Sequence, residues 1–456
     1  MTNRSGRLFP LPFPPDDTCP IPAYFDSFAP PAPATQKLEG DRHAVVVIVG
    51  GGYTGLSTAV HLAERGIRSL VLEARDIGWG ESSRSFGQIV PYLKHPPDHL
   101  ARQLGPEVAD RLVEATGRGP DLVFSVIEKY RIDCSAVRKG LIFGAHSPAG
   151  MRTLETRTAF WQKRGAPVEM FDAGGTEALT GSRYYPASSL DRRGGTINPL
   201  AYVRGLARAA IEAGATVCAH TPMTALTRAA GGWRVEALGG SVLTPTVVLA
   251  TNAYTTSHFW PGLYESLIPM RAYQLVSKPV GEHARTSILP EGQPLTDTRR
   301  LFSGVRRHAD GRIHVSADGP VFDRSGAPNV KKVNRRISTI FPHLGPLEWE
   351  HQWAGWVGMT YDLNPHLHEL APGLWAALGY SGRGIAMATM MGRDLAARIA
   401  GASDTPLAFS LWPLRSSRIR WIAKPLVGCL LNYYRVRDAF DDMRHGRYAT
   451  SFPRSS

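Results

Sequence analysis

A glycine-rich segment between an apolar run and a helical pattern constrains the fold more than any other feature of this sequence. Ala44–Val49 (AVVVIV) is wholly apolar, as expected for a parallel strand that is buried on both faces. The letters GGGYTG follow it directly, and residues 54–65 carry the apolar spacing of a helix. Gly50, Gly52 and Gly55 therefore match GxGxxG at a strand-to-helix turn, where small residues let a pyrophosphate group approach the backbone.

An acidic residue stands where this pattern requires one. Ser69–Leu72 has the composition of a second strand, and Glu73 follows it directly. A carboxylate at this point can accept hydrogen bonds from ribose hydroxyls, while the phosphates lie on the free N–H groups at the start of the helix. Strand, helix and acid in this order predict a βαβ unit that binds a dinucleotide.

Two further loops favour FAD over NAD. Residues 78–88 (GWGESSRSFGQ) are small or hydrogen-bonding, and they could line the pyrophosphate and the ring system of a larger cofactor. Residues 379–384 (GYSGRG) precede an apolar helical pattern that runs to about Ile399. The amides at the start of that helix can face the pyrimidine edge of a flavin, where negative charge develops on reduction, and Arg383 can reinforce the effect.

The length of 456 residues exceeds what one hydrophobic core usually supports, so two domains are expected. Segments rich in aromatic residues, arginine and proline alternate with the βαβ-like blocks and suggest a mainly antiparallel second domain. The expected parts are a proline-rich surface arm outside the core (1–40), a discontinuous FAD-binding domain (41–95, 186–255 and 346–410), a discontinuous substrate domain (96–185 and 256–345) and a basic tail (411–456).

Charge and cysteine content limit the class of protein less sharply. The net charge of +13 is compatible with nucleic acid or an anionic membrane as partner, and equally with a solvated surface plus arginines that face a dianionic cofactor. The four cysteines are scattered without a CxxC pair or metal-like spacing, so no metal site is expected. The N-terminus lacks the apolar region of a secretory signal, and a reducing cytoplasm is the expected location.

Six stretches together resemble the D-amino-acid oxidase-like flavoprotein family, closest to its γ-glutamylputrescine oxidoreductase-like branch. They are VVIVGGGYTGLSTAVHLAERG, GWGESSRSFGQ, INPLAYVRGLARAAIEAGA, VVLATNAYT, WAGWVGMTYDLNP and GYSGRGIAMAT, and the similarity covers roughly residues 20–450. The resemblance implies an α/β (overall α+β) fold with a glutathione-reductase-like Rossmann domain and an interleaved, mainly antiparallel substrate domain. It also implies oxidation of a C–N bond in an amine or amino acid, with hydride passing to flavin N5, hydrolysis of the imine, and oxygen as the expected acceptor.

The resemblance also carries over a set of FAD contacts, residue by residue. Met223 would act through its backbone, next to adenine. The set is Gly50, Gly52, Thr54, Gly55, Glu73, Arg75, Ser82, Ser83, Arg84, Gly87, Gln88, Met223, Asn252, Gly379, Gly382, Arg383 and Gly384. Since no cysteine lies just before Trp353 and no histidine lies in residues 78–88, the FAD is expected to be non-covalent.

Departures from the family pattern concern the substrate side. Ala386 stands where sarcosine oxidase relatives carry a lysine that pairs with the substrate carboxylate, which puts simple N-methylglycine substrates in doubt. The segment RIHVS places His314 where those relatives carry a lysine linked to oxygen activation. We expect its imidazole to face flavin N5, to titrate near neutral pH and to support reoxidation of the reduced flavin by oxygen.

Candidate catalytic residues are therefore Arg306, His314, His351 and Tyr361, although each taken singly is as compatible with a structural or surface role. A dedicated base is not required, because a pocket of low dielectric constant disfavours the ammonium form of an amine. Three alternatives remain open. They are a dehydrogenase that passes electrons to a membrane quinone with its basic tail on anionic lipid, a tRNA-modifying flavoprotein, and one subunit of a larger oxidase. No specific nucleic acid is expected as a partner.

Overall fold

The computed structural model describes residues 21–300, 304–318, 328–402 and 407–415, and single residues between 429 and 444. About two thirds of the expected basic tail (31 of its 46 residues) therefore lies outside the described residues. Within the described part of the chain, no helix is long and apolar enough to cross a membrane.

The strands are β1 (Gly40–His43), β2 (Val46–Val49), β3 (Ser69–Leu72), β4 (Gln88–Ile89), β5 (Leu141–Gly144), β6 (Val168–Phe171), β7 (Ser188–Asp191), β8 (Gly195–Thr196), β9 (Thr216–Cys218), β10 (Met223–Ala229), β11 (Gly232–Ala237), β12 (Gly240–Thr244), β13 (Thr246–Leu249), β14 (Ile268–Pro279), β15 (Leu295–Asp297), β16 (Gly304–Arg307), β17 (Arg312–Asp318), β18 (Trp349–Met359), β19 (His366–Ala371) and β20 (Leu374–Leu378). The helices are α1 (Ala23–Asp26), α2 (Tyr53–Ala63), α3 (Glu81–Arg84), α4 (Pro97–Leu104), α5 (Pro106–Gly117), α6 (Gly119–Lys129), α7 (Pro148–Gln162), α8 (Ala173–Thr180), α9 (Pro199–Glu212), α10 (Glu282–Ser287), α11 (Val330–Ile340) and α12 (Gly384–Ile399).

The predicted βαβ unit lies in a six-stranded sheet with the order β19-β20-β13-β2-β3-β9. All neighbouring pairs are parallel except β19 with β20. Every residue of β2 and β3 is buried, which explains why both strands are continuously apolar instead of alternating.

Two layers enclose this sheet. On one face, α2 packs against α9 and α12. On the other face lies the antiparallel meander β10-β11-β12, which β1 extends by pairing in parallel with β12. Side chains of β2, β3 and β13 that point to this side share one apolar cluster with the meander. The helices and the meander therefore bury both faces of the strands that carry the glycine-rich turn.

A second sheet of eight strands has the order β18-β14-β17-β16-β15-β5-β7-β6. All its pairs are antiparallel except β15 with β5. Ile313 and Val315 of β17 pack with α11 on one face, whereas His314 points to the other face, towards the 78–88 loop. The expected α/β architecture with a mainly antiparallel second domain is confirmed.

The strand pairing differs from the expected domain boundaries in two places. Both β7 and β18 belong to the eight-stranded sheet, although they fall in segments 186–255 and 346–410 that were expected to form the FAD-binding domain. Strand β18 lies directly over the 78–88 loop, because a Cβ atom at Gly355 would collide with the Glu81 carboxylate. Sequence composition alone could not show this, because a strand carries the same apolar pattern whichever of the two sheets it joins.

The prediction that residues 1–40 form a surface arm outside the core is wrong at Tyr24 and Phe25, whereas residues 26–37 are exposed or partly exposed. Tyr24 and Phe25 are buried, and the carbonyl of Phe25 accepts a hydrogen bond from Asn198 Nδ2 at 3.0 Å. The Phe25 ring packs 5.2 Å from the ring of Trp353 in β18. Burial of two aromatic side chains outweighs the extended tendency of the surrounding prolines, and this segment joins the two sheets.

Candidate active site

The first glycine-rich loop packs tightly through backbone atoms at two of its glycines. Gly50 has a φ of +113°, and a Cβ atom there would lie 2.8 Å from the Ala250 carbonyl oxygen. A Cβ atom on Gly55 would collide with the carbonyl of Gly50, so helix and turn pack backbone against backbone. Gly52 is the N-cap of α2 and provides no side-chain cap. The amide of Tyr53 donates to Ser82 Oγ, and the amides of Thr54 and Gly55 in the same first turn are available for a bound phosphate.

Glu73 is held in place by the backbone of the same unit. Its carboxylate accepts hydrogen bonds from the amides of Gly51 at 2.6 Å and Arg75 at 2.9 Å. Burial raises the pKa of Glu73, and these backbone hydrogen bonds act against that increase. The carboxylate is therefore fixed at the end of β3, next to the glycine-rich turn, as a ribose-binding residue needs to be.

The 78–88 loop contains the short helix α3 instead of being wholly irregular. Ser82 Oγ accepts a hydrogen bond from the amide of Tyr53 at 3.2 Å, and Ser83 Oγ donates to the Gly80 carbonyl at 3.3 Å. The guanidinium groups of Arg75 and Arg84 lie 4.9 and 5.2 Å from the centre of the Trp79 ring. This loop is therefore closely attached to the first glycine-rich loop.

The second glycine-rich loop forms one hydrogen bond with the first loop and one with the segment that follows β13. Asn252 Oδ1 accepts from the amide of Gly379 at 2.9 Å, and the hydroxyls of Thr54 and Tyr380 lie 2.5 Å apart. Sequence analysis assigned Asn252 and Thr54 to the cofactor but gave no role to Tyr380. The phenol between two glycines of GYSGRG is the signal that could have identified it.

Gly382 and Gly384 of the second loop have free space around them, which Gly50 and Gly55 of the first loop lack. A Cβ atom on Gly382, whose φ is +83°, would meet nothing within 4 Å, and one on Gly384 would meet only Tyr380 at 3.9 Å. Arg383 Nη1 is buried and has no hydrogen-bond partner among the described residues. Burial and the nearby Arg157 lower the pKa of Arg383 to about 10. Uncapped amides, fixed Glu73 and this unsatisfied cation together fit a dianionic dinucleotide.

For three further predicted cofactor residues, Met223, Gln88 and Gly87, the structure shows the position but no feature that points to a cofactor contact. Met223 is buried at the start of β10, and Gln88 lies in β4. Gly87 has a φ of +80°, and a side chain there would collide with the carbonyl of Ile197 and with Arg306. Packing alone thus explains this glycine, and the cofactor contacts of the three residues stay predictions.

His314 lies on the face of β17 turned to the 78–88 loop, with its ring 4.8 Å from that of Phe86. Its Nδ1 contacts His308 Nε2 at 3.1 Å and its Nε2 contacts Gln274 Oε1 at 3.0 Å. Burial and the charge of Arg306 hold the pKa of His314 well below its ordinary value. The expectation that this imidazole titrates near neutral pH is therefore wrong, because a dry site beside a guanidinium favours the neutral ring.

The other three catalytic candidates do not form one group with His314. Arg306 is buried, donates from Nη1 to the carbonyls of Phe86 and Ile197, and has a pKa lowered to about 10 by burial. His351 lies on the edge strand β18, 5.5 Å from the Tyr24 ring. Tyr361 follows the other end of β18 and is 45% exposed. Catalytic roles for these residues stay predictions, and only Arg306 and His314 are neighbours.

Two basic residues that the sequence did not single out also face the interior. The Lys94 side chain is exposed to solvent, yet burial by surrounding protein atoms and the charge of Arg383 lower its pKa to about 8. Arg157 of α7 is partly accessible, and its guanidinium carbon lies 3.9 Å from the centre of the Phe143 ring. Neither residue lies in a glycine-rich or acidic motif, so local pattern could not reveal them.

Comparison with known proteins decides the family. A model of the family described as FAD dependent oxidoreductase matches residues 45–398. The chain belongs to this family. FAD is therefore its cofactor, and the resemblance noted from the sequence is confirmed.

Two curated relatives and one solved structure show the range of this similarity. The chain is 29% identical to γ-glutamylputrescine oxidoreductase of Escherichia coli (strain K12), over 86% of this chain and 92% of the relative. It is 27% identical to glycine oxidase of Geobacillus kaustophilus (strain HTA426), over 82% and 96%. The crystal structure of L-proline dehydrogenase from P. horikoshii has a TM-score of 0.69 and 22% identity, over 80% of this chain and 96% of that one. The protein is an FAD-dependent oxidoreductase whose relatives act on amines or amino acids.

Proposed function

We propose that this protein oxidises the C–N bond of a small amine or amino acid and passes the electrons to oxygen. The observation that carries the proposal is the junction of the two glycine-rich loops under β18 of the eight-stranded sheet. The activities for which the two curated relatives are named, on γ-glutamylputrescine and on glycine, support an amine substrate. FAD, when bound, supplies the acceptor for the hydride that leaves the carbon next to nitrogen.

The chain's own residues contribute by making the amine neutral. An alkylamine of pKa about 10 is only about 0.1% unprotonated at pH 7, which corresponds to roughly 4 kcal/mol. The charge of Arg383 acts on Lys94, and we expect both cations to border the bound amine. Neighbouring cations disfavour a further positive charge on the substrate nitrogen. Exclusion of water by β18 and the 78–88 loop acts in the same direction. No dedicated carboxylate base is required for this step.

Because the His314 imidazole is neutral at pH 7, the positive charge expected to assist the reaction of reduced flavin with oxygen must come from another residue. A neutral imidazole cannot stabilise developing superoxide as a fixed cation does. Arg383, at the start of α12, stays charged at neutral pH and lies in the second glycine-rich loop. We therefore expect His314→Leu to leave reoxidation by oxygen nearly unchanged and Arg383→Leu to slow it, as measured by stopped flow on the reduced holoenzyme.

An anaerobic substrate screen tests the reaction itself. Polyamines, cyclic imino acids and N-alkyl amino acids are added to the FAD-loaded protein, and the visible absorption band of the oxidised flavin is followed. We expect at least one class to bleach the flavin and the colour to return when air is admitted. Absence of bleaching across all classes would contradict C–N oxidation. Bleaching followed by slow recovery in air, but fast recovery with a quinone, would favour the dehydrogenase alternative.

A further inference from the structure

One carboxyl oxygen under β18 has no hydrogen-bond partner in the part of the chain that the structure describes. Glu81 is the first residue of α3, and its Oε2 atom is buried without such a partner. Buried polar atoms in folded proteins are nearly always hydrogen-bonded, so an exception calls for a partner from outside the chain. The Glu81 side chain is therefore a candidate contact of a bound molecule.

The backbone of β18 lies directly against this carboxyl group. A Cβ atom at Gly355 would collide with Oε2 and would lie 2.8 Å from Cδ of Glu81. Trp353, two residues earlier on the same strand, donates from Nε1 to the backbone carbonyl of Arg84 at 2.9 Å. Glycine at position 355 therefore leaves room for the Glu81 carboxyl group, which any larger residue of β18 would displace.

The same strand reaches the second glycine-rich loop three residues further on. The carbonyl of Gly358 accepts a hydrogen bond from the amide of Ser381 at 3.2 Å, and a Cβ atom at Gly358 would collide with Asn252 Oδ1. Three residues of an extended strand span about 10 Å. Strand β18 thus covers the space between the 78–88 loop and the second glycine-rich loop, and Glu81 lies at one end of that space.

The residue after Glu81 is attached to the first glycine-rich loop. Ser82 Oγ accepts a hydrogen bond from the amide of Tyr53 at 3.2 Å, and it lies 3.0 Å from the position of a Cβ atom at Gly52. The Glu81 carboxyl group is therefore held between the turn that suits a pyrophosphate and the strand that covers both loops. In FAD a ribityl chain joins the pyrophosphate to the flavin, so the covered space is the one in which the ring system fits.

The surroundings of Glu81 favour its uncharged form at neutral pH. Burial raises the pKa of its carboxyl group to about 8, and the charge of Arg84 acts in the opposite direction. Tyr53 of α2 is neutral as well, because burial raises the pKa of its phenol well above the usual range. Strand β18 contributes only glycine at the point of contact. A protonated carboxyl group adds no negative charge beside a dianionic cofactor, and it can donate a hydrogen bond.

We infer that the carboxyl group of Glu81 contacts the flavin in the FAD-loaded protein, and that it holds a proton when FAD binds. Glu81 is not among the cofactor contacts that the family resemblance implies, although the next three residues are. The inference concerns the cofactor alone. It does not depend on which amine is oxidised or on whether oxygen is the acceptor.

The pH dependence of FAD binding tests this inference without turnover. FAD is titrated into the FAD-free protein at several pH values between 7 and 9, and quenching of the flavin fluorescence gives the dissociation constant. An ionised Glu81 would repel the dianionic cofactor, so bound FAD should raise the pKa of Glu81 further and affinity should fall as the pH rises. A further increase of one unit above about 8 corresponds to a fall in affinity of about fivefold over this range.

Two variants identify the source of the pH dependence. Glu81→Gln keeps the size of the side chain but cannot ionise, so it should retain only the contribution of Lys94, whose pKa is also about 8. His314 does not contribute, because its pKa lies well below 6.5. Glu107→Gln should behave as wild type, since Glu107 is exposed in the first turn of α5, which also has a glycine N-cap. Equal pH dependence in wild type and Glu81→Gln would overturn the inference.

The visible spectrum of bound FAD shows whether the contact is with the flavin itself. Ionisation of a group beside the ring system changes the electric field at the ring. The absorption maxima of wild type should therefore shift between about pH 7 and pH 10, and those of Glu81→Gln should shift less. A difference in affinity without this difference in the spectra would mean that Glu81 borders the pyrophosphate or the ribityl chain, and it would overturn the flavin contact.

The stability of the FAD-free protein tests the burial on which the inference depends. The pKa of Glu81 is about 8 in the folded protein and 4.5 for an ordinary glutamate, so the folded state keeps a proton that the unfolded state loses between these values. Wild type should therefore lose stability relative to Glu81→Gln as the pH rises from about 5 to about 8, as measured by urea denaturation. A constant difference in stability would show that the carboxyl group is not buried and would overturn the inference.

Discussion

The two glycine-rich loops resemble each other in sequence but differ in what their glycines do. In the first loop, Gly50 and Gly55 lie so close to other backbone atoms that any side chain would collide. In the second loop, Gly382 and Gly384 have open space around them. Contacts within the protein are sufficient to explain Gly50 and Gly55. Gly382 is explained by its left-handed backbone, and the free space around Gly382 and Gly384 can accommodate a bound ligand. The following substitutions test this difference from the largest expected effect to the smallest.

Gly55→Ala should have the largest effect, because the new methyl group would meet the carbonyl oxygen of Gly50 and neither backbone can move independently. We expect the free energy of unfolding to fall by about 4 kcal/mol or more, the range of severe packing defects. Thermal denaturation of the FAD-free protein measures it. A variant that melts within a few degrees of wild type would show that the turn is less rigid than its contacts indicate.

Gly52→Val should remove the cofactor while leaving the fold intact. A Cβ atom at Gly52 would approach only Ser82 Oγ, at 3.0 Å, so the side chain would fill the space intended for the pyrophosphate. We expect FAD affinity to fall at least about a hundredfold, or about 2.7 kcal/mol, in an equilibrium titration.

The control for this change is Gly281→Val. Gly281 precedes α10 and has an ordinary negative φ of −60°, and a Cβ atom there would meet nothing within 4 Å. Gly239, in the turn between β11 and β12, is unsuitable as a control, since a side chain there would collide with the carbonyl of Leu38. Equal loss of FAD in Gly52→Val and Gly281→Val would indicate misfolding instead of a blocked site.

Gly382→Ala should have a moderate effect that comes from the backbone. Its φ of +83° is unfavourable for residues with a side chain by about 1–2 kcal/mol, although no neighbour opposes the methyl group. We expect a loss of that size in the free energy of unfolding by urea denaturation. A loss comparable to that of Gly55→Ala would abolish the distinction between the two loops.

Gly384→Ala should have the smallest and most informative effect. Alanine favours a helix by up to about 1 kcal/mol over glycine, and here it has free space at the start of α12. The FAD-free protein should therefore become slightly more stable. FAD affinity should fall if that space belongs to the flavin. Unchanged FAD affinity, measured by the same titration, would show that Gly384 does not border the cofactor.

The contrast between local and distant contacts also explains which parts of the structure the sequence could predict. The strand, turn, helix and Glu73 lie within 30 residues, so spacing and composition were sufficient. The hydrogen bond from the Gly379 amide to Asn252 Oδ1 joins residues 127 apart, and no periodic pattern encodes such a pair. The neutral state of His314 depends on burial among Phe86, His308 and Gln274, which come from three separate segments.

The substrate side was less predictable for the same reason. Lys94 carries no motif, and its character follows from its enclosure beside Arg383, almost 300 residues further along the chain. Tyr24 and Phe25 lie in a proline-rich segment that suggested a surface arm, yet they fill a gap between two sheets. Such roles arise only when distant segments meet.

The hydroxyl pair of Thr54 and Tyr380 has a consequence for how the protein is made. These residues are 326 positions apart, so a ribosome adding roughly 5–20 residues per second needs about 16–65 s to supply the second partner after the first. During that interval the nascent chain carries the residues of the first glycine-rich loop but lacks the second loop, with which Thr54 forms its hydrogen bond. If both loops hold FAD, we expect cofactor loading to be a late event that requires synthesis to have passed α12.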